Sequence, residues 1–202
     1  MLSHITIYRN RRCFKMYLIS VYFDTTTTKR LQSLICQIAA VSGNTYMTQN
    51  HVPPHLTLSA VEARNVEVLL PPIQALEGKL SSGKVQFVSV GQLLPYVLFL
   101  APVLNSYLMD LAQQVYNAIS PIADTKISKY YRPFSWLPHI TLGKTLSTEE
   151  MQRAFAVVQS HFSVFDGFIT EIGVAKVNPH IDVLRYRRIH YRNRRCKGKS
   201  TY

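Results

Sequence analysis

Five residues, Pro138-His139-Ile140-Thr141-Leu142, occur almost unchanged a second time in this chain. The earlier copy, Pro54-His55-Leu56-Thr57-Leu58, lies eighty-four positions upstream and matches at four of the five positions. Polar and apolar residues alternate in each copy, which predicts a β-strand whose residues i and i+2 share a face. We therefore expect each histidine to share a face with its threonine while the apolar residues enter the core. Two such strands suggest two imidazoles converging on one small anion.

The bare pattern of histidine followed two residues later by threonine or serine is weak by itself. It occurs at four of the seven histidines, whereas chance predicts about one if Ser and Thr make up roughly a seventh of the chain. His55 and His139 are distinguished by the preceding proline, by apolar residues at +1 and +3, and by matching places in two halves. His4 lacks the proline, and His161 falls in a predicted helix, where residues two apart do not share a face.

The net charge of +12 is concentrated at the two ends of the 202-residue chain. Residues 1–15 and 185–202 hold twelve of the 23 Lys and Arg residues and none of the acids, so the body is formally neutral. A basic terminus is most often a solvated extension, although it strengthens phosphate binding through counterion release. The charge therefore does not identify a substrate.

The domain organisation follows from length and periodicity. With 47% hydrophobic and 17% charged residues, the chain has the composition of one globular domain with a sizeable core. We expect a basic leader over 1–15, one domain over 16–188 and a basic tail over 189–202. The leader has no convincing periodicity and Met16 precedes the first strand, so we expect 1–15 to be disordered or an upstream reading-frame extension.

Cysteines and apolar runs bear on the compartment. The three cysteines are widely spaced, which indicates neither a disulfide framework nor a metal knuckle and fits a reducing interior. The apolar run at 16–23 is too short for a signal peptide and lacks a small-residue cleavage site. The apolar window at 90–109 contains two prolines and is typical of strands, not of a membrane span. We expect a cytoplasmic monomer without membrane contact.

The secondary structure is predicted from hydrophobic periodicity and capping residues. Strands are predicted at 17–23, 55–60, 85–90, 96–100, 139–143, 170–176 and 181–187. Helices are predicted around the apolar stripe of 31–38, over 65–80 with a kink or a split at Pro71-Pro72, from Asn105 to about 119, and from a capping box at Ser147 to about 162. Strand, helix, strand, helix and then a hairpin, arranged in two halves, predict an α+β or α/β domain with pseudo-symmetry, in which His55 and His139 face each other across a cleft.

Two histidines suit phosphodiester chemistry near neutral pH. Imidazole has an ordinary pKa near 6.5, so one ring accepts a proton from water while the other protonates the leaving ribose oxygen. The hydroxyls of Thr57 and Thr141 are suited to hold the non-bridging phosphate oxygens. This chemistry needs no metal, and none is predicted, because Pro53-Pro54 rules out a helical metal pair of His51 and His55.

With these two motifs, the chain resembles the two-histidine (2H) phosphoesterase superfamily and, within it, the bacterial 2′-5′ RNA ligase-like (LigT-like) proteins. The resemblance covers the element order from about 16 to 188. It implies an α+β, bilobal and pseudo-symmetric fold, with two antiparallel sheets lining a central cleft and helices outside. It also implies opening of a 2′,3′-cyclic phosphate, or cleavage or joining of a 2′-5′ linkage in RNA, without a cofactor. By the same resemblance His55, Thr57, His139 and Thr141 form the catalytic set.

Other residues near the motifs are candidates for contacts with substrate. The aromatic residues before the second motif either stack a nucleobase or pack over the rim of the core; they are Tyr130, Tyr131, Phe134 and Trp136. Arg132 or Lys144 is a candidate to neutralise a phosphate, although Lys144 has the opposite parity from His139 in an unbulged strand. Ser59 is expected to extend the polar face beyond Thr57.

Two other functions remain open at this point. One is a catalytically idle module that binds an RNA end or a nucleotide cyclic phosphate in the same cleft. The other is a phosphodiesterase for a small nucleotide, such as an ADP-ribose cyclic phosphate. The residues do not decide which histidine is the base, or which ribose oxygen leaves.

Overall fold

The computed structural model describes residues 14–177 and 179–186, which form an α+β structure. The strands are β1 (Lys15–Phe23), β2 (Leu56–Ala63), β3 (Gly83–Leu93), β4 (Val97–Pro102), β5 (Lys126–Ile127), β6 (Ile140–Gly143), β7 (Phe165–Lys176) and β8 (Ile181–Tyr186). The helices are α1 (Thr25–Ser42), α2 (Tyr46–Gln49), α3 (Leu70–Gln74), α4 (Ser106–Ile119) and α5 (Thr148–His161), with a short 3₁₀ turn at Lys129–Tyr131.

The strands form one antiparallel sheet with two sections that meet at β7. The order is β5-β2-β1-β7-β3-β4-β6, and β8 also pairs with β7. The first part of β7 pairs with β3, between 165–169 and 83–87. The second part pairs with β1 on one edge and with β8 on the other. The two expected sheets are thus two sections of one hydrogen-bonded sheet.

Each section contains a strand, a helix and a motif strand in the same relation. In β1-α1-β2 the motif strand β2 pairs antiparallel with β1, and in β4-α4-β6 the motif strand β6 pairs antiparallel with β4. The apolar stripe predicted for α1 is buried, and this helix packs against α5 and β6. Both helix starts predicted from capping residues are present: the side chain of Asn105 accepts from the backbone N–H of Leu108 before α4, and Ser147 and Glu150 form a capping box before α5. Gly43, with φ 82°, ends α1.

Both motif strands carry a β-bulge at the same position of the motif. Along β1, Ile19 pairs with Ser59 and Ser20 pairs with Thr57, which leaves Leu58 as the extra residue. Along β4, Leu98 pairs with Gly143 and Phe99 pairs with Thr141, which leaves Leu142 as the extra residue. An extra residue changes which face the following side chains occupy. The alternation predicted for a regular strand therefore ends directly after each threonine.

Two expectations about the elements were wrong. The helix predicted over 65–80 is reduced to α3, because Pro71 and Pro72 occupy the first turn of a short helix rather than the middle of a long one. Gly78, with φ 75°, turns the chain soon after. The strand predicted from residue 170 begins at Phe165. The basic leader up to residue 13 and the tail from residue 187 lie outside the described residues, and no helix in the part described is long and apolar enough to cross a membrane.

Candidate active site

The two His-x-Thr motifs line one cavity of about 590 Å³ between the two sections of the sheet. His55 and Thr57 enter it from β2 and its approach, and His139 and Thr141 enter it from β6 and its approach. The apolar partners in the motifs, Leu56, Leu58, Ile140 and Leu142, are buried on the other side. The structure thus brings together the four residues that the motifs predicted.

Both imidazoles are held in the same orientation by their own backbone. Nδ1 of His55 donates to the carbonyl oxygen of Pro53 at 2.8 Å, and Nδ1 of His139 donates to that of Leu137 at 2.9 Å. A carbonyl oxygen only accepts hydrogen bonds, so Nδ1 carries the proton in both rings. Nε2 is then the nitrogen that gains or loses a proton. Each ring can therefore act as base or as acid toward a substrate.

The surroundings of the two rings lower the pKa of both. Burial lowers the pKa of His55 to about 4; the hydrogen bond to Pro53 opposes this, and the imidazoles of His180 and His139 add to it. Burial also lowers the pKa of His139, against the opposing effect of its bond to Leu137. Both rings are therefore neutral more readily than an imidazole in water.

The two threonine hydroxyls have different partners. Thr57 is buried, its Oγ1 lies 3.3 Å from Oγ of Ser20, and its hydroxyl opposes the effect of burial, which raises the pKa of Tyr131. Thr141 is partly exposed to the cavity, and its hydroxyl has no hydrogen-bond partner within the described part of the chain. The hydroxyl of Thr141 is thus the freer of the two to bind a ligand.

The bulges decide which residues follow the threonines into the cavity. Lys144 lines the cavity although regular alternation predicted otherwise, and Ala60 occupies the matching position after the first motif. Ser59 was expected to extend the polar face; it is instead buried outside the cavity lining, and its hydroxyl has no hydrogen-bond partner among the described residues. Nζ of Lys144 lies 5.4 Å from the ring centre of Tyr46. Lys144 therefore places an ammonium group in the cavity lining, directly after the second motif strand.

The aromatic loop before the second motif divides into different environments. Tyr131 lines the main cavity and also a second cavity of about 250 Å³, which Arg132, Phe134 and Trp136 line as well. Nε1 of Trp136 donates to the carbonyl oxygen of Thr57 at 3.0 Å, so the indole supports the motif strand. Phe134 is 96% exposed with φ 64°, a backbone region that favours glycine. Tyr130 is exposed and lines neither cavity.

Some cavity residues were missed by the sequence reasoning. Tyr46, Asn50 and Ser128 come from loops and short elements that carry no motif. His180 also lines the cavity, and its ring stacks on that of His55 with 5.5 Å between the ring centres. A signal for His180 was present, because Pro179-His180-Ile181-Asp182-Val183 has the proline, histidine and apolar positions of the two motifs, with aspartate in place of threonine.

A pseudo-symmetric antiparallel α+β fold that presents one His-x-Thr motif from each half to a common cleft is that of the 2H phosphoesterases. The family model described as the 2′-5′ RNA ligase superfamily matches residues 29–181, and the chain belongs to this superfamily. This membership supports phosphoesterase-type activity on RNA ends.

Solved structures support the same fold. A crystal structure of a phosphoesterase has a TM-score of 0.58 and 14% identity, and the match covers 87% of this chain and 99% of that one. The protein TT0787 of Thermus thermophilus gives 0.56 and 14%, covering 87% and 100%. LigT of E. coli complexed with 3′-AMP gives 0.53 and 16%, covering 88% and 100%. Among curated proteins, no sequence matches this chain significantly.

Proposed function

We propose that this protein is a metal-independent phosphodiesterase that acts on 2′,3′-cyclic phosphate ends or 2′-5′ linkages of RNA or nucleotides. One observation carries the proposal: two histidines on matching strands face the same cavity, and the same backbone contact leaves Nε2 of each ring available. Two imidazoles so arranged supply a base and an acid on either side of a phosphate. The cavity volume of about 590 Å³ is that of a small-molecule site.

The reaction is a balanced displacement at phosphorus. One imidazole accepts a proton from water at Nε2 as the water oxygen forms a bond to phosphorus. The bond from phosphorus to one ribose oxygen breaks, and Nε2–H of the other imidazole donates its proton to that oxygen. The product is an acyclic phosphate monoester beside a free ribose hydroxyl. Each proton transfer contributes about 10²–10⁴-fold to the rate.

Hydroxyl and ammonium groups in the cavity suit the charge that develops on the phosphate. In our proposal Thr141 donates its hydroxyl to one non-bridging oxygen, and Thr57 contributes a second contact from the opposite motif. The ammonium of Lys144 adds positive charge to the same wall of the cavity. These contacts strengthen as charge moves onto the non-bridging oxygens in the transition state.

The aromatic loop supports a substrate that carries a nucleobase. Tyr131 belongs to both cavities, so a nucleotide bound in the main cavity lies next to the smaller one. We assign Phe134 and Arg132 to contacts with a neighbouring nucleotide, because an exposed ring and a guanidinium stack on bases. This arrangement favours an RNA end over a mononucleotide. Tyr130, which lines neither cavity, is given no role.

Hydrolysis of two substrates in EDTA tests the proposal: a 2′,3′-cyclic mononucleotide and a short RNA ending in a 2′,3′-cyclic phosphate. The variants are His55→Ala, His139→Ala and a matched control, His161→Ala. His161 lies on α5 away from the cavity, and its Nδ1 also bonds to a carbonyl oxygen, at 2.9 Å. Phosphorus NMR of the products identifies the ribose oxygen that leaves.

We expect EDTA-resistant turnover that falls by at least about 10²-fold in each cavity variant and not in the control. Full activity in either His55→Ala or His139→Ala would contradict the two-histidine mechanism. Binding of both substrates without turnover, also with 2′-5′ dinucleotides, would identify a binding module instead.

A further inference from the structure

A third proline–histidine pair, Pro179-His180, lines the cavity beside His55 of the first motif. Pro179 and His180 precede β8, and in this strand Asp182 pairs with Ala175 of β7. Aspartate occupies the place that threonine has in the two motifs. The side chain of His180 is only 11% exposed, so the fold has enclosed a third imidazole next to the reactive pair.

The orientation of His180 is set by a hydrogen-bonded carboxylate. Nε2 of His180 lies 3.2 Å from Oδ1 of Asp182, and the hydroxyl of Tyr22 donates to the same oxygen at 2.9 Å. Nη1 of Arg185 lies 3.5 Å from the other carboxylate oxygen. The aspartate is thus held by three side chains, and the imidazole held by it stacks on His55 with ring planes 30° apart.

The second motif has no equivalent of this pair among the described residues. The ring of His139 meets the edge of Phe99 at 5.4 Å between ring centres, a neutral contact. The groups facing His55 are Tyr22 from β1 and His180 and Asp182 from the β8 segment, with His139 on the β6 side. Behind Tyr22, Arg185 covers the ring and is paired with Glu171 of β7. The two reactive rings, alike in backbone contact, therefore differ in charged neighbours.

Stacked imidazoles disfavour a state in which both are charged. Of the two, His180 has the carboxylate on its Nε2, while His55 has only a neutral carbonyl on its Nδ1. The carboxylate of Asp182 therefore favours positive charge at the His180 ring, and no carboxylate within 14–177 and 179–186 contacts the ring of His55 in this way. His55 is then the neutral ring of the pair, with its Nε2 unprotonated, in the lining of the cavity.

We propose that His180, oriented by Asp182, is a positioning residue that keeps His55 neutral, so that His55 is the general base and His139 the general acid. The assignment of His55 as base and His139 as acid rests on the proposed function. The effect of His180 on His55 does not depend on turnover. The lowered pKa of His55, for which burial is the largest cause, agrees with it. A metal site is a poor alternative, since no group of three or more His, Cys, Asp or Glu residues suited to a metal ion occurs in 14–177 and 179–186.

The test compares a neutral and a charged replacement. Gln in His180→Gln cannot carry a positive charge, Lys in His180→Lys carries one within reach of Asp182, and His161→Gln is the control on α5. For each variant, kcat/KM on the cyclic-phosphate substrate is measured against pH. In parallel, ¹⁵N-labelled imidazole NMR follows the titration of His55 directly.

In His180→Gln we expect the acid limb of the profile and the His55 titration to move up by about one pH unit, with the alkaline limb unchanged. Below that limb kcat/KM then falls about 10-fold. His180→Lys and the control should keep the acid limb in place. Equal profiles for the Gln and Lys variants, or an unmoved His55 titration in His180→Gln, would overturn the proposal. A shifted titration in a protein without turnover would support it and refute the proposed function alone.

Discussion

The two threonines of the motifs are expected to respond differently to the same substitution. Thr57→Val removes a hydroxyl that lies 3.3 Å from Oγ of Ser20, a residue only 1% exposed. The hydroxyl of Ser20 is then buried without its partner, and an unsatisfied buried polar group costs about 1–3 kcal/mol. Thr141→Val removes a hydroxyl that has no partner among the described residues, so the free energy of unfolding should change by less than about 0.5 kcal/mol.

Activity should follow the opposite order. If Thr141 donates to a non-bridging oxygen in the transition state, its loss lowers kcat by about 10²-fold, as for other donors to a developing oxyanion. The hydroxyl of Thr57 is paired with that of Ser20, so its substitution should affect kcat less and stability more. Both variants keep the size and branching of the side chain, which makes them a matched pair.

The assay combines urea unfolding with steady-state kinetics on one cyclic-phosphate substrate. Ser20→Ala in the Thr57→Val background serves as a control, since removing both hydroxyls should restore most of the lost free energy of unfolding. If Thr57→Val were as stable as the parent while Thr141→Val unfolded at lower urea, the assignment of structural and ligand-binding hydroxyls would be refuted.

Three other predictions concern charge, stacking and pH. Lys144→Met should raise KM for a cyclic phosphate about 10-fold and weaken the dependence of KM on salt, measured in a salt titration. An unchanged salt dependence would exclude a contact between Lys144 and the phosphate. Phe134→Ser should weaken binding of an RNA end by about 1–3 kcal/mol and leave mononucleotide binding unchanged, measured by calorimetry; equal losses for both ligands would contradict a stacking role. Because the pKa of His55 is lowered from 6.5 to about 4 in the folded state, the unfolded state binds more protons in that window. The free energy of unfolding should therefore fall as pH drops from 6.5 to 4, and fall less in His55→Gln, as denaturation at several pH values would reveal; an equal fall in both proteins would contradict the lowered pKa.

The faces of the motif strands were predictable from residue pattern alone. Polar and apolar residues alternate at 54–58 and 138–142, and only one register buries the leucines and isoleucine. The helices α1, α4 and α5 were predictable for the same reason, with capping residues marking their ends. Periodicity and caps are local properties, and they do not require knowledge of neighbouring strands.

The bulges were not predictable, because nothing in Leu58 or Leu142 distinguishes an extra residue from a paired one. A bulge arises from how a strand fits its partner, which is a property of two distant segments. The parity argument for Lys144 and Ser59 failed for this reason. The helix over 65–80 was mispredicted for a different reason. Proline is favoured in the first turn of a helix and excluded from its interior, so Pro71 and Pro72 mark the start of a short helix.

His180 shows a different limit. The sequence at 179–183 shares the proline, the histidine and the apolar positions with the two motifs. It has aspartate, and not threonine, two residues after the histidine, so the His-x-Thr pattern does not include it. The +2 side chain also has a different role here, since Asp182 accepts a hydrogen bond from its own histidine, whereas His55 and His139 donate to backbone carbonyls. That role becomes visible only when β8 is placed beside β7 and β1.

β7 belongs to both sections of the sheet, and this has a thermodynamic consequence for the cleft. Its backbone is hydrogen-bonded to β3 over 165–169 and to β8 over 172–176, with β1 alongside from residue 169. Moving the sections apart would break ladder bonds in the middle of the sheet. The spacing of the two histidine strands is therefore fixed during folding, and the entropy of arranging them is lost before any substrate arrives. Loss of activity on heating should accordingly coincide with global unfolding, in a single transition.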